Sequence, residues 1–336
     1  MTVRELARLT GVSPATVSIV LNGGKGVSEP TRKKVLDAIA ASNYVPPPAR
    51  ASRARTVLLL KYCQSGMFVE ENQGFITMII DAVEEQLRQE RCGMTMTAVR
   101  GDLRAALAAQ DFAKYCGVIL IGTEFAADSF DALQSIPLPF VVVDNTAANH
   151  PCSSVCMNNA ENVYLALRHC RACGHTEIGY LGSTSDTANF RERRRAFRDG
   201  VAALGLHFEP RWEFRVTATM LGAHNDFLTV LDGAPALPPC FFAENDTIAL
   251  GVLKALQERG FAVPQEISLI GFDDIPYASI STPALTTVHV QRGIIGRQAV
   301  LQLLQIMADP GFAPLKTQIT GRLVVRDSVC DRRAQG

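Results

Sequence analysis

Nine cysteines and six histidines are the residues of this 336-residue chain best suited to metal, redox or nucleophilic chemistry. Their spacing argues against such chemistry. Cys170-x-x-Cys173 has the form of half a zinc or thiol–disulfide motif, but no second pair follows, and it closes a helical pattern. Cys152 and Cys156 are no better placed, and the histidines, among them His169, His175 and His289, have no ligand spacing. No G-x-S-x-G elbow occurs. Gly23-Gly24-Lys25-Gly26 lacks the apolar strand that must precede a phosphate loop. No enzyme, metal or cofactor chemistry is expected.

The residues that invite a partner lie at the N-terminus. Ser13, Ala15, Thr16 and Ser18 are small or hydroxylated and allow close approach to a polyanion, with Lys25, Arg32 and Lys33 beside them as phosphate-binding cations. Over residues 1–60, nine Lys/Arg face three acids, leaving twenty-four against thirty in the rest of a chain of zero net charge. A basic head on an acidic body predicts a polyanion partner for the head.

Three short helices must position those residues. Thr2-x-x-Glu5 is a capping box ahead of Leu6 and Leu9, and Gly11 breaks the helix. Ser13 caps a second helix with Pro14 at its first position, Val17, Val20 and Leu21 as its stripe and Asn22-Gly23-Gly24 as its end. Ser28 caps a third helix carrying Val35, Leu36 and Ile39. Two helices about a Gly-containing turn with a third covering their core is the helix-turn-helix plan, whose second helix enters the major groove.

The run from Val3 to Pro46 resembles the head of the lactose-repressor (LacI/GalR) family of bacterial transcriptional regulators, through Ala15-Thr16-Val17-Ser18, Leu21-Asn22, Val27-Ser28, Thr31-Arg32 and Asn43-Tyr44. The resemblance implies that Pro14, Ala15 and Ile19 read bases, while Thr16, Ser18, Asn22 and Arg32 hold phosphates or support the fold. Thr2, Ser13, Lys25 and Tyr44 complete the expected DNA contacts. The family usually has Arg where Ile19 stands. Ile touches a thymine methyl where Arg would bond guanine, so an uncommon operator is expected; alternatively, Ile19 packs inside the head. In the linker, Arg53 stands where the family has a minor-groove Leu wedge. It either enters a narrow groove by charge or belongs to a basic tether after Pro46-Pro47-Pro48.

From Thr56 onward the pattern alternates. Candidate strands are 57–61, 94–99, 117–121, 140–144, 178–181, 240–242 and 268–271; helical stretches include 75–89, 160–173, 193–204 and 247–259. Apolar strands between amphipathic helices imply parallel sheets covered on both faces, and so long a run implies two lobes with a ligand cleft between them. This body resembles the same family, and through it the periplasmic sugar-binding proteins, in Phe242 to Ala249, Ile270-Gly271-Phe272-Asp273-Asp274, Pro283 to Val288 and Gly174-His175 with Ile178 to Gly182. The expected architecture is an all-α helix-turn-helix head on an α/β body of two doubly wound, periplasmic-binding-protein-type lobes. Its expected limits are 1–46 for the head, 47–56 for the linker and 57–330 for the effector-binding and dimerisation domain, with crossovers near 158, 289 and 320.

Carried over by position, Arg193, Asn245 and Asp273 contact the effector, joined by Asp246, Phe75 and Thr217. The chemistry suits a polyol: a guanidinium forks onto vicinal hydroxyls, a carboxylate accepts their protons, and a carboxamide does both. Without the resemblance, Arg193 reads as surface charge among Arg191, Arg194, Arg195 and Arg198. Thr217 stands where the family has an aromatic stacker, Ala196 replaces a Gly, and Asn158 replaces an Asp. The implied function is a ligand-responsive regulator, a repressor of carbohydrate-related genes, that binds a pseudo-palindromic DNA operator as a homodimer. Its effector is a sugar or sugar derivative. A dimer is expected because the chain closes on Val325-Arg326-Asp327-Ser328 and a polar tail without leucine heptads. With no secretory signal and no apolar run long enough to span a bilayer, a cytoplasmic, membrane-free protein is expected. A transporter's solute-binding protein is opposed by the head, and an enzyme with a fused DNA-binding head by the missing catalytic constellation.

Overall fold

The computed structural model describes residues 3–21, 26–42, 56–65, 74–126 and 128–335. Its contacts divide it into two units, Met1–Arg53 and Ala54–Gly336.

The first unit is three helices, α1 (Val3–Thr10), α2 (Pro14–Leu21) and α3 (Glu29–Ala41). Leu6, Ala7, Val17, Val20 and Val35 form its core. Gly11 turns the chain between α1 and α2 at φ +64°, a left-handed conformation in which Gly carries no steric penalty. Ser13 Oγ accepts the Thr16 N–H at 3.0 Å, so α2 is capped as expected. Ser28 occupies the N-cap of α3 without making a capping bond to the backbone; its hydroxyl pairs instead with Thr31 Oγ1 at 2.8 Å. Thr2 and Asn22-Gly23-Gly24 lie outside the described residues.

The second unit holds two parallel sheets. The six-stranded sheet of the first lobe has the order β11-β5-β4-β3-β1-β2. Its members are β1 (Thr56–Cys63), β2 (Gly93–Arg100), β3 (Gly117–Ile121), β4 (Phe140–Val143), β5 (Ser153–Met157) and β11 (Lys316–Ile319). The second lobe has the order β7-β6-β8-β9, with β6 (Gly179–Ser183), β7 (Glu213–Val216), β8 (Cys240–Ala243) and β9 (Ser268–Ile270). β10 (Thr287–His289) and β12 (Arg322–Val324) pair antiparallel. The seven strands anticipated in the body are all present. β5, β7, β10, β11 and β12 were not anticipated, being short and rich in Ser, Thr or charge.

Helices α4 (Phe75–Gln89), α5 (Leu103–Ala108), α6 (Ser129–Leu133) and α12 (Arg292–Ala308) flank the first sheet; α7 (Asn159–Ala172), α8 (Ala188–Leu204), α9 (Met220–Asp232), α10 (Asp246–Glu258) and α11 (Pro276–Ile280) belong to the second lobe. α12 returns the chain to the first lobe and packs on α4 so closely that a Cβ on Gly296 would stand 2.6 Å from the Ile79 carbonyl oxygen. The chain thus passes between lobes after β5, between β10 and α12, and between β11 and β12. Strands β1, β3, β4, β6 and β8 are buried almost throughout because helices cover both faces. Their C-terminal ends all open on the space between the lobes. No described helix is long and apolar enough to cross a membrane.

Candidate ligand cleft and DNA-facing helix

Phe75, Thr123, Asp144, Met157, Thr187, Asn189, Phe190, Arg193, Asn245 and Asp273 line a small cavity between the lobes. Two acids meet there from opposite sheets. Asp144 follows β4 at φ +62°, and Asp273 follows β9 at φ +113°. A parallel strand that ends against a ligand space must turn away sharply, and non-glycine residues held at positive φ concentrate at such sites.

Asp144 is fully buried. Its Oδ2 accepts Thr123 Oγ1–H at 2.5 Å and its Oδ1 accepts Asn189 Nδ2–H at 3.2 Å. Burial raises its carboxyl to about 7, against the lowering effect of Thr123 and of the nearby Arg193 charge. Arg193 is 3 % exposed. Its Nε donates to Asn159 Oδ1 at 3.0 Å, one amino group to the Glu244 carbonyl at 2.6 Å, and the other to Asp273 Oδ1 at 3.3 Å. The guanidinium carbon lies over Phe272, 3.7 Å from the ring centroid. Asn159 donates in turn to Asn189 and Glu192, at 2.9 and 2.8 Å.

These bonds join the lobes. Asn189 on α8 reaches Asp144, and Glu192 on α8 accepts Thr146 Oγ1–H at 2.6 Å. The cleft is shut on its own side chains and retains about 20 Å³ of open space, roughly one water. Nearer solvent, a larger cavity of about 160 Å³ is lined by Glu124, Phe125, Ser185 and Thr187 among others.

In the head, Ser13 before α2 and Pro14, Ser18 and Ile19 on it are exposed, while Val17 and Val20 turn into the core. Ile19 is therefore on the outer face of α2 and not in the core. That face carries no charged side chain. Arg32 lies 3.9 Å from Glu29 on α3.

Residues 2–47 match the family described as bacterial regulatory proteins, lacI family, and residues 167–329 match a periplasmic binding protein-like domain. The chain is 30% identical to the HTH-type transcriptional repressor PurR of Mannheimia succiniciproducens, over 98% of both chains. It belongs to the LacI family. PurR of Vibrio cholerae is likewise 30% identical over 98% of both chains. The lac repressor dimer bound to operator and an anti-inducer superposes at TM-score 0.73 with 22% identity, over 98% of this chain and 99% of that one. A CelR–cellobiose complex does so at 0.72 with 24% identity and the same coverage. As a LacI-family member, the chain is a transcriptional regulator of the repressor type, with a DNA-binding head and an effector-binding body, and its relatives are repressors rather than enzymes.

The fold of this LacI-family body brings Phe75, Arg193, Asn245 and Asp273 to one cavity. It does not bring Asp246 or Thr217 there. Asp246, at the start of α10, is sealed below the cleft, where it accepts Thr287 Oγ1–H at 2.5 Å and the Ile275 N–H at 3.0 Å. Thr217 packs where a Cβ on Gly222 would fall, and its N–H is held by Asp226 at 2.7 Å. Asn245 caps α10 through Oδ1 and the Ile248 N–H. Among the expected DNA contacts, Thr2, Asn22, Lys25, Tyr44 and Arg53 lie outside the described residues, as does the side chain of Ala15. Thr16 is half-buried against Ser13.

Residues not anticipated at the cleft are Asp144, Thr123, Asn189, Met157, Thr187 and Phe190. Asp144 and Thr123 were within reach of a general rule, since both follow apolar strands of a parallel sheet. Asn189 and Asn159 carried no such signal. Cys170 Sγ sits 3.6 Å from Cys240 Sγ, both buried, and Cys173 Sγ 3.7 Å from His169 Nε2. Among the described residues, no three His, Cys, Asp or Glu are grouped to hold a metal.

Proposed function

We propose that this LacI-family protein is a homodimeric repressor whose operator affinity is set by a small polar effector, a sugar or sugar derivative, bound between the lobes. The observation that carries this reading is the side-chain network across the cleft. Asp144 and Asn189, which would hold a ligand together with Arg193 and Asp273, also bond to each other across the lobes. A ligand that enters must exchange its own hydrogen bonds for theirs, so occupancy and lobe geometry are linked. The 160 Å³ space at the mouth extends the region open to a ligand.

The head supplies DNA recognition through α2, with Pro14, Ser18 and Ile19 toward bases and backbone and Arg32 toward phosphate. Domain limits of 1–46, 47–56 and 57–330 suit this division of labour. Two heads on a two-fold dimer favour a two-fold operator. The dimer is supported by β2, an edge strand whose residues Gly93 to Ala98 are uncharged and mostly exposed, Met96 at 53 %. Leu221, Tyr277 and Ile280 are further exposed apolar side chains on the second lobe.

The test is operator binding by the full chain in the presence of sugars, amino sugars and other polar metabolites selected by thermal shift. At least one compound should change operator affinity in the wild type, and Arg193→Ala should bind operator with no response to it. An Arg193→Ala protein that responds normally removes the cleft from the mechanism.

A further inference from the structure

Asp144 and Asp273 face the same cavity but differ in how their charge is met. Asp273 has Arg193 at 3.3 Å, and Arg292 donates to its backbone carbonyl at 3.1 Å. Asp144 receives only a hydroxyl from Thr123 and a carboxamide from Asn189. No cation among the described residues bonds to it.

The surroundings of Asp144 deepen the imbalance. From α8, Glu192 is a second carboxylate on this side of the cleft, held by the neutral donors of Thr146 and Asn159. From β5, Cys156 is a neutral buried thiol whose ionisation both acids oppose. Lys316 on β11, the nearby lysine, donates to the Ala147 carbonyl at 2.8 Å and lies against Cys152. Arg193 on α8 is drawn to the second lobe by Glu244, Asn159 and Asp273. Asp273 adds a like charge from β9. Among the described residues, the charged side chains of the cavity wall are thus two carboxylates and one guanidinium, and that guanidinium is committed to one of the carboxylates.

A buried carboxylate met only by neutral donors is a costly group that a cation satisfies best. We propose that the effector carries a positively charged amino group, which Asp144 receives from the wall of the first lobe, while Arg193 and Asp273 address oxygen or hydroxyl groups elsewhere on the ligand. This assignment rests on the cleft being the effector site and narrows its ligand from polar molecules at large to protonated amines such as amino sugars. The binding step balances simply. Where Asp144 carries a proton in the ligand-free chain, the arriving ammonium displaces it to solvent. Burial raises the Asp144 carboxyl to about 7, so binding releases protons at pH 6 and few at pH 8. Affinity for an amine that stays protonated should therefore rise with pH across that interval. Asn189 serves as the gate, because its amide leaves Asp144 when the ligand takes its place.

The experiment uses the full chain with glucosamine, galactosamine and mannosamine beside glucose, galactose and mannose, and putrescine beside 1,4-butanediol, at pH 6 and pH 8 and constant ionic strength. Thermal shift identifies binders, and calorimetry in two buffers of different ionisation enthalpy counts protons. At least one amine should bind about tenfold or more tightly than its uncharged counterpart, the scale of a charge-assisted hydrogen bond. It should also release protons at pH 6. Asp144→Asn should erase that preference. The wild-type proton count stands even if the variant does not fold. Binding by uncharged members alone, or an amine preference that survives Asp144→Asn, overturns the charge assignment and leaves the cleft as the effector site. Binding by no amine overturns it as well; if the uncharged members also fail while Arg193→Ala leaves operator regulation intact, the effector reading falls with it.

Discussion

Replacement of Asp144 by Asn isolates the electrostatic cost of the cleft. Asn suits the position, since it tolerates φ +62° and its carbonyl oxygen can accept the Thr123 hydroxyl. What it loses is the ability to ionise. In the wild type the carboxyl titrates near 3.8 when unfolded and at about 7 when folded. The folded chain therefore binds the extra proton between those values. Stability attributable to this group is complete below pH 3.8 and is lost as pH rises through 7. The full interval corresponds to about 4 kcal/mol at 1.36 kcal/mol per pH unit, an upper bound because relaxation of the cleft lessens it. The Asn amide also meets the Asn189 amide, donor against donor, at a cost of about 1 kcal/mol independent of pH. Asp144→Asn should thus be slightly less stable than wild type at pH 4 and more stable by pH 8. Glu244, also raised to about 7, titrates in both proteins and cancels in the difference. Urea unfolding followed by circular dichroism at pH 4, 6 and 8 measures this, with the buried single Trp212 as a second probe. Parallel stability–pH curves for the two proteins would refute the reasoning, because they would show that Asp144 ionises at no cost inside the closed cleft.

Three further outcomes follow from the same structure. Thr287→Val removes the hydroxyl that Asp246 accepts at 2.5 Å and should cost about 2 kcal/mol in body stability, with effector affinity little changed because Asp246 is below the cavity; a large selective loss of effector binding would place Asp246 in the site after all. Gly11→Ala should lower the melting stability of the head by about 1 kcal/mol through backbone strain alone, since nothing lies within 4 Å of the added Cβ. Ile19→Arg should change which operator sequence is bound, whereas Arg32→Ala should weaken binding to all sequences and flatten its salt dependence, both read by binding to operator libraries at several salt concentrations.

Much of this was legible before the fold was known. The first two head helices announced themselves through Gly11, Ser13 and Pro14, because capping and turn chemistry act within four residues; the third was placed by Ser28, which stands at its N-cap without the expected capping bond. The α/β alternation was legible because strands buried on both faces, such as Val118-Ile119-Leu120-Ile121, must be apolar throughout. The short strands β5 and β10 were not, since Ser153, Ser154 and Thr287 satisfy their polar groups through tertiary contacts, and β12 is a three-residue strand that opens on the exposed Arg322. Arg193, Asn245 and Asp273 could be named from their motifs. Asp246, in the same motif, is a buried tie between α10 and β10, which its place in the sequence could not reveal.

Ile19 illustrates one side of the division. Its type and its place on α2 were set locally, and the helix period alone turns it away from Val17 and Val20. The cleft illustrates the other. Asp144, the α8 pair Asn189 and Arg193, and Asp273 come from three places in the chain up to 129 residues apart, and only the packing of two sheets brings them into one hydrogen-bonded chain. Charge at such a site depends on burial and on which partners arrive, and both are properties of the folded arrangement. The sequence by itself therefore determined the architecture and the family. The tertiary structure decided that, among the described residues, Asp273 bonds to a guanidinium and Asp144 to neutral donors.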